Sequence, residues 1–201
     1  MRLTGVDLAC QRGERSVFAD VGFVVESGQA LTISGRNGAG KSSLLRMIVG
    51  LLPIAAGRLA LEGGDPELSI AEQSHYLGHQ DALKGSLSVA ENLGFWAGFF
   101  GLRPADLHTP LETVGLAGLA GLPAAYLSAG QRRRLSIARL IAVPRPIWLL
   151  DEPTSTLDAA AQDRLAELME AHLAGGGLVL AASHGSIGLS GAQELRLGEA
   201  P

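Results

Sequence analysis

Gly35-Arg36-Asn37-Gly38-Ala39-Gly40-Lys41-Ser42 is the stretch on which the reading of this chain turns. It has the form G-x-x-x-x-G-K-S, in which glycines let the backbone wrap closely round phosphates, a lysine neutralises charge and a serine hydroxyl binds Mg²⁺. Its setting agrees. Ala30 to Ser34 reads as a buried strand, and Leu44, Leu45, Ile48 and Leu51 recur at helical spacing from Lys41 to Leu52, where Pro53 stops them. Strand, glycine loop and helix are the context a phosphate-binding loop needs, and the helix adds its positive end. The residues from Gly35 to Ser43 are therefore nucleotide-binding candidates, with Lys41 also catalytic and Ser42 also a metal ligand. Alone, the motif specifies a nucleoside triphosphate and nothing finer.

A second phosphate-binding segment lies downstream at Leu127-Ser128-Ala129-Gly130-Gln131. It reads as a loop opening a helix, with Ser128 as cap and backbone N–H groups pointing outward, so Ser128, Gly130 and Gln131 join the candidates. The two segments read as halves of one site that cannot meet on a single subunit. Two copies facing head to tail, each lending its Ser128 loop to the other's nucleotide, satisfy both.

Asp151 and Glu152 follow the apolar run Ile147-Trp148-Leu149-Leu150, at a strand end where parallel sheets collect their ligands. Asp151 is placed to hold Mg²⁺ through water, and Glu152, one residue further, to act as general base on the attacking water. The bland alternative is a solvated acidic strand end. His184 ends the strand read from Leu178 to Ser183, where a neutral imidazole can bond the γ-phosphate and orient the water. Gln80, at the entrance to a helical stretch, can offer its amide to Mg²⁺ and the water, against the alternative of a plain surface glutamine. His79 is ambiguous beside it, and His75, His108 and His172 read as surface residues. Arg132-Arg133-Arg134 reads as a solvated face, while Phe95, Trp96, Phe99 and Phe100 read as the apolar heart of the helical stretch, part of which can instead form a groove for a partner helix.

The wider chain is consistent with one α/β domain. It has 201 residues and 47% hydrophobic content, ample for a core, and 16 basic against 20 acidic residues, net −4, offer no bulk attraction for nucleic acid or an anionic membrane. Cys10 is the single cysteine, which excludes an internal disulfide and agrees with a reducing compartment. Met1-Arg2-Leu3-Thr4-Gly5 lacks a signal peptide's apolar stretch, so export is not expected. The longest uncharged run, Thr113 to Gln131, is broken by Gly115, Gly118, Gly121 and Pro123 and leads into the Ser128 loop, so it does not read as a membrane helix.

Residues 2 to 34 alternate as an antiparallel β region before the glycine loop, and another β segment is expected near Arg58 to Glu62. From about Asp81 to Ala142 the pattern becomes helical, opened by the capping box of Ser88 and Glu91. The sheet resumes at Ile147, and Ala159 to Leu173 reads as an amphipathic helix with Leu165, Leu168, Met169 and Leu173 inward, ended by Gly175-Gly176-Gly177. The expectation is a single domain over 1–201, with a core of 1–80 and 143–201 and a helical subdomain of 81–142.

Taken in order, the glycine loop, Gln80, the Leu127–Gln131 loop, Asp151-Glu152, Ser155-Thr156-Leu157-Asp158 and His184 resemble the ATP-binding subunits of ABC transporters over essentially the whole chain. That implies a P-loop NTPase with a RecA-like core sheet, an N-terminal antiparallel β region and an inserted ABC-type helical subdomain, using ATP and Mg²⁺. It also implies that the Asp158 segment is a dimer contact. Gly35 to Leu45, Tyr76 to Lys84, Glu91 to Ala97 and Ser128 to Arg134 are similar to the CcmA branch, the haem-exporter ATPases of cytochrome c maturation. The branch implies an ATP-dependent homodimer on the cytoplasmic face of the inner membrane, docked on CcmB-like and CcmC-like subunits, with no haem or nucleic acid bound by this chain itself. ATPase subunits of drug, polysaccharide or nutrient transporters, and soluble non-transport ABC ATPases, are the alternatives. One position departs from the wider family. The aromatic residue that stacks on adenine should precede Gly13, where this chain has Arg12, so the preference for ATP over GTP stays open.

Overall fold

The computed structural model describes residues 1–101 and 106–198. Its strands are β1 (Arg2–Arg12), β2 (Arg15–Glu26), β3 (Ala30–Gly35), β4 (Ala56–Glu62), β5 (Ser74–Leu77), β6 (Ile147–Asp151), β7 (Leu178–Ala182) and β8 (Gln193–Leu197). Its helices are α1 (Lys41–Ile48), α2 (Val89–Phe99), α3 (His108–Thr113), α4 (Ala129–Ala142) and α5 (Ala159–Ala174), with short 3₁₀ turns at Ala117–Leu119 and Ala124–Tyr126. Between β5 and β6 the described residues contain helices and turns but no strand, and residues 102–105 of the expected insertion lie outside them.

Two sheets share the work. β2-β1-β4 is antiparallel, and β5-β6-β7-β3-β8 pairs in parallel throughout. Every residue of β6 and β7 is buried, which is why both read as unbroken apolar runs. Their side chains alternate between two cores. Ile147, Leu149, Leu178 and Leu180 meet α1 and the antiparallel sheet, whereas Trp148, Leu150, Val179 and Ala181 meet α2, α4 and α5. Because β3, β6 and β7 run in parallel, the chain leaves all three at one edge, and that edge carries the glycine loop, Asp151-Glu152 and His184.

Several expectations change in the fold. α1 ends at Ile48 and not at Leu52, since Gly50 turns to φ 77° before Pro53 is reached, and Leu51 is 62% exposed. The capping box of Ser88 and Glu91 is present, but α2 buries Val89, Asn92, Leu93 and Ala97, while Phe95 and Phe99 are 58% and 68% exposed. Asn92 occupies the core because its amide closes four bonds, to Lys84 N, Lys84 O, Leu87 O and Ser88 O. His75 is buried rather than on the surface, bonded to Val143 O, and His172 is half-buried and stacked on Trp148 at 4.0 Å; His108 is exposed. The arginine run is not a solvated face. Arg132 reaches Leu127 O, Arg134 reaches Val114 O, and Arg133 is buried among carbonyls.

Candidate active site

The glycine loop joins β3 to α1 through backbone that other residues tolerate poorly. Gly40, the N-cap of α1, has φ 103°, and a Cβ there would lie 2.7 Å from Phe18. A Cβ on Gly35, at φ 137°, would collide with the Leu197 carbonyl of β8. Gly40 has no side chain to cap α1, so the helix's first N–H groups are left for an external acceptor.

Above this loop lies a cavity of about 780 Å³, lined by Arg12, Arg15, Val17, Asn37, Gly38, Gly40, Lys41, Ser42, Ser43, His79, Glu152 and His184. Its volume is in the range of small-molecule sites, and three permanent cations against one carboxylate suit a polyphosphate. Lys41 is 7% exposed. Its Nζ lies 2.9 Å from Gly35 O, 3.5 Å from Arg36 O and 3.1 Å from His184 Nε2. An ammonium only donates, so His184 accepts at Nε2 and carries its ring proton on Nδ1. Glu152 Oε1 stands 3.6 Å from the same nitrogen, which brings lysine, imidazole and carboxylate together around the cavity.

Behind the lysine, Ser42 Oγ donates to Asp151 Oδ1 at 2.8 Å, and Tyr76 OH to Asp151 Oδ2 at 3.3 Å. Arg46 Nε in turn donates to Tyr76 OH at 3.2 Å. Burial raises the pKa of Tyr76, with Arg46 acting against it and Asp151 with it, so the phenol stays protonated as a donor. Asp151 is 1% exposed, and its pairing with Ser42 makes a cluster of hard oxygen donors suited to Mg²⁺. Glu152 has φ 47°, in the left-handed region, and its side chain is one-quarter exposed.

The expected residues are not all drawn together. Gly35 and Arg36 border a neighbouring hollow with Ser34, Ser183, Glu194 and Arg196, and Ala39 N bonds Arg36 O. Gln80 is exposed and does not line the cavity, whereas His79 does. Ser128, Gly130 and Gln131 are also absent from its lining. Ser128 Oγ accepts from Gln131 N while Gln131 Oε1 accepts from Ser128 N, a closed capping box that spends the glutamine side chain on its own helix. Arg15, Val17 and Tyr76 were not expected. Arg15 pairs with Arg12 across the β1–β2 turn, so the hairpin itself could have signalled it.

The family described as ABC transporter matches residues 18–155. The chain belongs to the ABC transporter ATP-binding family. A cytochrome c biogenesis ATP-binding export protein CcmA from Rhodopseudomonas palustris (strain BisB5) is 60% identical over 200 residues, covering 100% of both chains. A protein of the same name from Mesorhizobium japonicum is 55% identical over 201 residues, again covering 100% of each. Among solved structures, an ATP binding subunit of an ABC transporter superposes with TM-score 0.82 at 28% identity, over 92% of this chain and 80% of that one. A putative ABC transporter ATP-binding protein from Pyrococcus furiosus has the same fold, with TM-score 0.84 at 23% identity over 98% of each chain. This ABC ATPase therefore binds ATP and couples its hydrolysis to transport. Among the described residues, no helix is long and apolar enough to cross a membrane, and the Thr113–Gln131 stretch is divided among short turns and the start of α4.

Proposed function

We propose that this ABC ATPase works as an ATP-dependent homodimer that powers haem export, or release of a haem-loaded chaperone, in cytochrome c maturation. The observation that carries the dimer is one of position: the cavity over the glycine loop is built without Ser128, Gly130 or Gln131, whose helix start leaves backbone donors for another acceptor. A second copy, turned head to tail, supplies them. The cargo assignment rests on relatives of the same length that carry the CcmA name.

In this reading ATP is the substrate, its phosphates on residues 35–43 and its base beside Arg12 and Arg15. Ser42 and Asp151 would hold Mg²⁺, with Gln80 joining from its exposed position, and the ion when bound neutralises charge developing on the phosphate oxygens. Lys41 neutralises the terminal phosphates from the floor of the cavity. Glu152 accepts a proton from the attacking water, and His184, held at Nε2 by Lys41, orients the water against the γ-phosphate. Charge-assisted hydrogen bonds contribute about 1.5 to 3 kcal/mol each, so Ser128 and Gly130 of the second copy decide whether the pair stays shut. Hydrolysis removes their acceptor and the copies part.

The helical subdomain, residues 81–142, carries that opening to CcmB-like and CcmC-like integral membrane subunits at the cytoplasmic face of the inner membrane. Phe95 and Phe99, exposed on α2, offer an apolar surface for such a partner. The core is residues 1–80 and 143–201, and neither part binds haem itself.

Glu152→Gln tests the reading: it is expected to bind ATP, hardly turn over, and elute as a dimer from size-exclusion chromatography only when ATP and Mg²⁺ are present. Normal hydrolysis by that variant, or a monomer under those conditions, overturns it. Copurification of the membrane subunits from the native host tests the assignment of cargo.

A further inference from the structure

We propose that Arg133 is a positioning residue for hydrolysis, holding Glu152 in its working conformation and tying that conformation to the helical insertion. The proposal rests on the assignment of Glu152 as general base. Arg133 lies one turn into α4 and is 2% exposed, among the largest fully buried side chains. Its guanidinium is spent on two segments distant from α4. NH2 donates to Asp151 O at 2.7 Å and Glu152 O at 2.9 Å, Nε to Pro153 O at 3.3 Å, and NH1 to Gly78 O at 2.7 Å and Asp81 Oδ1 at 3.4 Å. These are the end of β6 with the turn that follows it, and the segment containing His79 and Gln80; Arg133 itself rides on α4, the helix capped by Ser128.

Why this matters is seen at Glu152. A non-glycine residue at φ 47° persists only where its surroundings over-determine it. Glu152 N–H donates to Ala182 O at 2.8 Å, and its carbonyl accepts from Ser155 Oγ at 2.8 Å, from Ser155 N at 3.2 Å and from Arg133. Of these anchors, Ser155 belongs to the same turn and Ala182 to the neighbouring strand β7, whereas Arg133 comes from α4 in the helical insertion. Moving α4 against the sheet withdraws the guanidinium, the turn relaxes, and the Glu152 carboxylate leaves His184 and the cavity. Planar, forked donation to several carbonyls is a task for arginine that a lysine ammonium, a single point of charge, does not reproduce. Burial lowers the Arg133 pKa, while Asp81 and then Asp151 and Glu152 oppose that shift, consistent with a cation retained in place by this acidic turn.

The test uses the full-length protein and four chains: wild type, Arg133→Lys, Glu152→Gln and the double variant. Arg133→Lys is expected to lower kcat about 10- to 100-fold, the usual cost of displacing a supported group, while affinity for a fluorescent ATP analogue changes less than about threefold. In the Glu152→Gln background, the same substitution is expected to leave the residual rate unchanged, because the group it positions is already gone. Equal factors in both backgrounds, or parallel loss of nucleotide affinity and melting temperature with kcat, would show a structural role and overturn the proposal. If Arg133→Lys does not fold, Asp81→Asn takes its place. Asp81 is one-fifth exposed, and its loss spares the four carbonyl bonds. Its expected signature is a fall in kcat with affinity unchanged, and an unchanged kcat counts against the proposal. Wild-type turnover by Glu152→Gln removes the base assignment itself, whereas an inactive Glu152→Gln with no Arg133 effect removes only this inference.

Discussion

The native protein is expected to lose stability on mild acidification, and replacing His75 with glutamine is expected to flatten that loss. His75 sits on β5, 3% exposed, with Nε2 2.6 Å from Val143 O and its ring edge-on to Phe100 at 5.1 Å. Burial lowers its pKa from 6.5 to about 4; the Val143 carbonyl acts against that shift, and Arg139, Arg145 and His172 reinforce it. The folded ring is therefore neutral and donates from Nε2. As pH falls from 6.5 to about 4, the unfolded chain takes up a proton that the folded chain refuses. The neutral ring's contribution is complete above the unfolded pKa, declines across this window and is lost below it. Each pK unit corresponds to about 1.4 kcal/mol, so the full loss is about 3 kcal/mol, with about 2 kcal/mol of it between about pH 7 and about pH 5. Urea unfolding followed by tryptophan fluorescence, repeated across that range for both proteins, measures the effect. Glutamine keeps an amide donor for Val143 and does not titrate. The difference between the two curves also removes the contribution of His172, which burial shifts in the same direction. Curves that run parallel within about 0.5 kcal/mol would refute the burial argument.

Gly40→Ala places a Cβ at φ 103° and 2.7 Å from Phe18, and is expected to cost roughly 1 to 3 kcal/mol of stability and to weaken ATP binding at least about tenfold, read by thermal unfolding and nucleotide titration. Ser42→Ala removes the donor at 2.8 Å from Asp151 and leaves that carboxylate with Tyr76; a lost bond to a buried charge costs about 1.5 to 3 kcal/mol, and the Mg²⁺ concentration for half-maximal ATPase rate should rise about tenfold or more. With Arg12 and Arg15 as the cations beside Val17 at one side of the cavity, the native protein should bind ATP and GTP within about tenfold of each other. Arg12→Tyr should tighten binding of both, since base stacking contributes about 1 to 3 kcal/mol, and a native preference for ATP above about a hundredfold would contradict the assignment.

What could be read from the sequence was whatever the local chain dictates. A buried parallel strand needs an apolar run, a phosphate loop needs glycines at special φ, and a helix start needs its cap; β6, β7, the 35–42 loop, the Ser88 capping box and the Ser128 cap all declare themselves this way. The two short edge strands of the parallel sheet do not. β8 and its pattern of exposed positions carry little periodic signal, and β5 is four residues long. Helix phase was the harder failure. In α2 the positions of Phe95, Trp96, Phe99 and Phe100 and those of Val89, Leu93 and Ala97 both make a helical stripe, so periodicity cannot choose between them. Tertiary partners chose. Trp96 and Phe100 lie under Arg139 and Arg145 at 4.4 and 4.1 Å, leaving Phe95 and Phe99 outward.

The arginines show the same limit in sharper form. A run of three cations in an acidic chain is more often solvated, and charge counting has no means of seeing that five oxygens from two distant segments converge on Arg133. Side chains that donate to backbone carbonyls leave no mark on the partner's sequence, because every residue has a carbonyl. The residues proposed to contact substrate were legible because their chemistry restricts residue type. Those that aim them were hidden because the groups they grip are common to the whole chain. A buried arginine is the exception that geometry exposes, since burying its charge is costly without such a complete set of acceptors.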